Sequence, residues 1–186
     1  TQRAYQYGIT AEGCESGNAA AIGGRVLSAD ERKQRGELIA QVRQKGFPQV
    51  MEEVAYTWFN RFIALRFLEV NNYLPTHIRV FSDHTGAFKP EILSDVLHLE
   101  PPGLNREKVT EFIEKNQTDS LYRYLLLTQC NALNEALPKM FERIGSYTEL
   151  LPPGNLLTAD SVPGRMVSDT PEDDWKDQAE IIGSLY

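Results

Sequence analysis

The stretch Val54-Ala55-Tyr56-Thr57-Trp58-Phe59-Asn60-Arg61-Phe62-Ile63-Ala64-Leu65-Arg66-Phe67-Leu68-Glu69-Val70-Asn71-Asn72-Tyr73-Leu74-Pro75 decides the fold. It is apolar on nearly every side of a 3.6-residue period, and a helix apolar all round is a buried one. Pro48 suits its first turn, where a missing N–H costs nothing, and Asn71-Asn72 ends it, so the reading is one long buried helix over about 48–72. Inside it sit Arg61, Arg66 and Glu69. Buried charges must be paired. Arg66 and Glu69 lie three residues apart on one helical face and can meet. The three are read as a structural ion network that locks neighbouring helices. Trp58 and Phe59, within the apolar run, are read as core.

Outward from this helix, the punctuation is mostly helical. Residues 1–24 contain Gly8, Gly13, Gly17, Gly23 and Gly24 without sustained periodicity and read as a flexible arm or loop, with Gly23-Gly24 as linker. Ser28-Ala29-Asp30-Glu31 fits a capping box, opening a helix that runs to Lys45 with Gly46 as its terminator. Residues 76–88 look irregular, with room for a short extended piece at His77 to Phe81. Pro90 starts a helix to about His98, which Pro101-Pro102-Gly103 breaks. Asn105 to Lys115 is helical, Asp119 can cap a helix through Leu133, and Pro138 opens a short helix that Gly145 closes. Thr170-Pro171-Glu172-Asp173 reads as a cap, a first-turn proline and two acids at the positive end of a last helix. No alternating run argues for a sheet. The expected fold is mainly α: an irregular bundle of six to eight helices around the long one. The organisation is an arm (1–24), a helical domain (25–170), and the start of a helix leading onward (171–186).

Two blocks carry a resemblance. The first is Ala55 to Arg61, Ala-Tyr-Thr-Trp-Phe-Asn-Arg, followed by Arg66, Glu69 and Tyr73-Leu74-Pro75. The second is Leu150-Leu151-Pro152-Pro153-Gly154-Asn155-Leu156-Leu157, then Trp175, then Glu180-Ile181-Ile182-Gly183-Ser184-Leu185-Tyr186. Together they resemble the N-terminal region of the PglX-type adenine-specific DNA methyltransferases of BREX phage-defence systems. The family usually has Trp where Ser184 stands. The resemblance implies a parent protein that transfers a methyl group from S-adenosylmethionine to N6 of adenine in double-stranded DNA, working with other phage-defence subunits. It also implies that this chain is the helical region preceding the catalytic domain.

The catalytic apparatus itself is not in these residues. Adenine methylation needs a Gly-rich strand-to-helix turn for the cofactor and an Asn/Asp-Pro-Pro-aromatic loop that holds the flipped base. Glu100-Pro101-Pro102-Gly103 and Leu151-Pro152-Pro153-Gly154 pair prolines but follow them with glycine, so both read as helix breaks. In the family those motifs lie downstream. No catalytic residue and no cofactor site is therefore assigned here, and S-adenosylmethionine is expected only for the parent. His77, His84 and His98 have no partners at metal-ligand spacing, and neither a Ser–His–Asp triad nor a nuclease centre can be assembled.

Charge narrows the partners. The 186 residues carry a net −7, unevenly spread. Residues 25–79 hold nine Lys/Arg against six Asp/Glu, a net +3, whereas residues 80–186 hold nine against eighteen, a net −9. Nucleic-acid binding needs a basic face, and only the 25–79 portion can supply one. The candidate DNA-contacting residues are Arg32, Lys33, Arg35, Arg43 and Lys45 on the first long helix, with Arg61 or Arg66 as further possibilities. The rival reading is a helical adaptor with no enzymatic parent, holding protein partners through its acidic second half. The richest apolar run, Phe62 to Val70, is broken by Arg66 and Glu69, so no membrane span is expected. The chain does not open with Met and Thr1-Gln2-Arg3 leads into no apolar run, so it reads as a trimmed piece without a leader. Two cysteines, Cys14 and Cys130, suit a reduced, cytoplasmic protein.

Overall fold

In the computed structural model, residues 1–141 and 146–178 are described, together with Glu180 and Gly183. Seven α-helices and a two-stranded sheet are present among them, so the chain is mainly α as expected. They are α1 (Gln2–Gln6), β1 (Ala21–Ile22), β2 (Arg25–Val26), α2 (Ala29–Lys45), α3 (Phe47–Val70), α4 (Glu91–Ser94), α5 (Arg106–Glu114), α6 (Thr118–Ala136) and α7 (Val162–Asp169). The chain divides into two compact units, Thr1–Phe59 with Arg143–Gly154, and Asn60–Glu142 with Asn155–Tyr186. The long helix α3 contributes to each.

In the first unit, α2 begins with the expected capping box. Ser28 Oγ accepts from Glu31 N at 3.1 Å, and Glu31 Oε2 accepts from Ser28 N at 2.9 Å. Gly46 ends the helix at φ 90°, a conformation that favours glycine. Leu38 and Ile39 of α2 are buried and the helix packs on a 3₁₀ turn, Ser146–Leu150. Gln34 Nε2 reaches Glu149 at 3.1 Å. On α3, Val50, Val54, Thr57 and Trp58 face inward, while Gln49, Glu52, Tyr56 and Phe59 face water. This half of the helix is therefore amphipathic rather than buried all round. Phe59 is 51% exposed, which corrects its reading as core.

Residues 1–24 are packed rather than a free arm. Ala4 and Ile9 are fully buried, Tyr7 nearly so. Gly23 and Gly24, at φ 54° and 81°, are the two-residue turn of the β1–β2 hairpin. Positive φ at both central positions is what such a turn requires, and this replaces the linker reading. With strands of only two residues, no alternation was there to find.

In the second unit, residues 61–70 of α3 are buried on nearly every side, as the apolar run implied. Phe62, Leu65, Leu68, Tyr122, Leu125, Leu126 and Leu133 form its centre, with α4 and α5 packing on α6. Asn105 caps α5 by accepting from Lys108 N at 3.1 Å. Asp119 does not cap α6. The helix starts one residue earlier, at Thr118, and Asp119 lies in its first turn. Residues His77 to Phe81 form no strand; the N–H groups of Val80 and Phe81 go instead to Glu69 Oε2, at 2.8 and 2.9 Å.

The sequence reading missed α7. Its signal was Ser161-Val162-Pro163: Ser161 Oγ accepts from Gly164 N at 3.1 Å and Pro163 sits in the first turn. Gly164 is dictated by space, since a Cβ there would lie 2.6 Å from the carbonyl oxygens of both Thr158 and Ala159. Gly164→Ala is expected to destabilise by roughly 1–3 kcal/mol through overpacking. An unchanged urea midpoint would show that the 158–161 turn yields freely. The expected last helix begins as a 3₁₀ turn, Glu172–Asp174. No helix continues directly from it: residues 175–177 form a turn, with Asp177 at φ 56°, and residues 179, 181, 182 and 184–186 lie outside the described residues. Residues 138–140 likewise form a turn where Pro138 is expected to open a short helix, and its closure at Gly145 lies outside the described residues.

Candidate functional site

Of the five cations proposed for DNA on α2, the structure leaves four on the surface. Arg32, Lys33 and Arg43 are exposed and form no ion pair with another described residue. Residues 32 and 43 are eleven apart, three turns, so they share one line of the helix, with Lys33 beside it. Lys45 is exposed but held by Glu53 at 2.8 Å, which raises its pKa. Arg35 must be withdrawn from the set. It is 0% exposed, and its guanidinium donates to the carbonyls of Tyr7 (2.7 Å), Glu15 (2.8 Å) and Ser16 (2.7 Å). The turn of 3.6 residues puts it on the Leu38–Ile39 side. There, the loop of residues 7–17 turns the Tyr7, Glu15 and Ser16 carbonyls toward it.

The ion network lies in the second unit. Arg66 and Glu69 are both fully buried in their side chains, and Arg66 Nη1 donates to Glu69 Oε1 at 2.6 Å. Ser82 Oγ accepts from Arg66 Nη1 and from Arg79 Nη1, each at 3.0 Å. Glu172 accepts from Arg79 Nη1, with Arg79 Nη2 at 3.4 Å from its other oxygen. Arg66 Nη2 lies 3.5 Å from Glu172 Oε1. Arg61 is buried on the same helix, 5% exposed. Burial pushes the Glu69 carboxyl up, against the pull of the Phe81 N–H and Arg66. Burial also pushes Glu172 up, but the hydrogen bond and charge of Arg79 outweigh it and leave that carboxyl lowered. Sequence reading found Arg66 and Glu69 but not Arg79, Ser82 or Glu172. A buried charge announces that it has partners; nothing in its spacing says which distant residues they are.

The lowered pKa fixes a sign. A carboxyl that titrates lower in the folded chain stabilises it above the ordinary glutamate range, and that contribution is lost as pH falls through the folded value. Glu172→Gln is therefore expected to melt below wild type at neutral pH and to converge with it in acid. Melting curves in a pH series measure this; an equal gap at every pH would show that the carboxylate charge contributes nothing.

Parts of the two blocks singled out in the sequence, Ala55 to Phe59 and Leu150 to Gly154, lie in the first unit. Trp58, 1% exposed, donates from Nε1 to the Thr148 carbonyl at 3.0 Å. Val54, Ala55 and Trp58 then line one wall of a cleft of about 340 Å³, and Leu151-Pro152-Pro153-Gly154 another. Thr1, Gln2 and Arg3 add a polar side to an otherwise apolar cleft, and no carboxylate or histidine lines it. Among the described residues, no group of three or more His, Cys, Asp or Glu could hold a metal ion. No helix there is long and apolar enough to cross a membrane.

The class to which the chain is related is that of the adenine-specific methyltransferases, a portion of which it matches. It is 40% identical over 163 residues to the adenine-specific methyltransferase BrxX of Escherichia coli O9:H4 (strain HS), covering 86% of this chain and 13% of that protein. It is 34% identical over 183 residues to the adenine-specific methyltransferase PglX of Lacticaseibacillus casei (strain Zhang), covering 88% of this chain and 15% of that protein. The chain thus spans about one seventh of these relatives. No protein-family model matches it. The resemblance to PglX-type methyltransferases read from the two blocks is borne out.

Proposed function

We propose that this chain is the non-catalytic N-terminal helical region of an S-adenosylmethionine-dependent N6-adenine DNA methyltransferase of a phage-defence system. One observation carries the reading: two relatives named as adenine-specific methyltransferases match nearly nine tenths of the chain, while the chain spans only 13–15% of them. The lack of a Gly-rich cofactor turn and of a Pro-Pro-aromatic loop agrees with a supporting role. In this reading S-adenosylmethionine and double-stranded DNA are ligands of the whole, cytoplasmic protein, and other defence subunits are its further partners.

The helical region supports the catalytic domain, and its contact with DNA is made by the exposed cations of α2: Arg32, Lys33, Arg43 and, less freely, Lys45. Each phosphate contact adds about 0.9 to the dependence of log affinity on log salt. Reversing Lys33 and Arg43 to Glu in the full-length protein is expected to weaken DNA binding and to flatten the salt slope by about two. Methyl transfer from labelled S-adenosylmethionine to duplex adenine is measured in the same preparations. Wild-type affinity and slope would remove α2 from the interface. Failure of the unaltered full-length protein to methylate adenine would remove the methyltransferase reading itself.

A further inference from the structure

The ion network contains more donors than its own helix uses. Arg66 is wholly buried, yet its Nε and Nη2 make no hydrogen bond. Arg79 aims both terminal nitrogens the same way, toward the Glu172 carboxylate that lies against Arg66 Nη2. Ser82 Oγ joins the two guanidiniums from behind. Of the nearby carboxylates, Glu69 is committed to Arg66 and to the Val80 and Phe81 N–H groups. Glu91 accepts from the Arg79 backbone N–H rather than from its guanidinium. What remains is a forked cationic recess that, among the described residues, Glu172 fills from a separate segment.

That segment is fastened separately. Asn71 Nδ2 donates to the Trp175 carbonyl at 2.9 Å, Asn71 Oδ1 accepts from Asp177 N at 3.1 Å, and the Trp175 ring is buried. The Glu172 and Arg79 side chains nevertheless stay 26% and 20% exposed, so the recess opens to solvent where the carboxylate enters. Two guanidiniums in a fixed fork match a phosphate as well as a carboxylate.

We propose that Arg66 and Arg79, backed by Ser82, form a phosphate-binding site that Glu172 occupies in cis, so that residues 171–177 are a latch a phosphate can displace. The site is competent only when the latch is open, and its apparent affinity falls by that fraction. The test uses the whole 186-residue chain. Glu172→Ala is expected to bind inorganic phosphate at least about tenfold more tightly than wild type. Binding is read as a rise in melting temperature over chloride at equal ionic strength, and Arg79→Ala added to it should abolish the gain. In the wild type, phosphate should speed hydrogen exchange of the Trp175 and Asp177 amides; this arm decides should Glu172→Ala not fold. A short DNA duplex is run beside inorganic phosphate. A response to both that Arg79→Ala abolishes assigns the site to backbone phosphate, and such a response to inorganic phosphate alone assigns it to a small anion. The absence of any phosphate-specific response in either chain overturns the proposal.

Discussion

Glu69→Ala is expected to destabilise the chain by about 3–5 kcal/mol, because it strands a buried cation. The Arg66 guanidinium would keep its burial and lose its 2.6 Å partner, and the Val80 and Phe81 N–H groups would lose their acceptor. That loss is comparable to much of a domain's roughly 5–15 kcal/mol. A urea titration reads it, and the double variant Arg66→Met/Glu69→Leu separates causes. If the pair is costly only when broken, the apolar pair should recover most of the loss. A single variant within error of wild type would show that the network contributes nothing to stability.

Trp58→Ala should cost about 3–5 kcal/mol for a different reason, the cavity left by a fully enclosed indole. The change also leaves the Thr148 carbonyl without the Nε1 donor. The loss should appear as a lower denaturation midpoint with an unchanged slope. An unaltered midpoint would mean that the Leu151–Gly154 wall collapses onto α3 and fills the space.

The long helix could be read from sequence because its pattern is local. Pro48 in the first turn and the apolar run gave its ends to within a residue or two, and the observed helix is Phe47–Val70. The α2 capping box could be read because its partners are three residues apart. Arg35 misled because helical periodicity tells which residues share a face, and its face is named only by what packs on it. Phe59 misled for a related reason: composition marked the helix apolar, but only its second half is enclosed. Glu172 was invisible, since no spacing links it to Arg79 across 93 residues.

Arg35 carries a practical consequence. Its donors are met by backbone oxygens from residues 7–17, a stretch that composition alone invites one to discard. A shortened chain beginning at Arg25 would leave the Arg35 guanidinium without the carbonyls of Tyr7, Glu15 and Ser16. The smallest self-sufficient version of the first unit is therefore set by a cation's appetite for carbonyls. Residues 7–17 belong inside it, well ahead of the first long element.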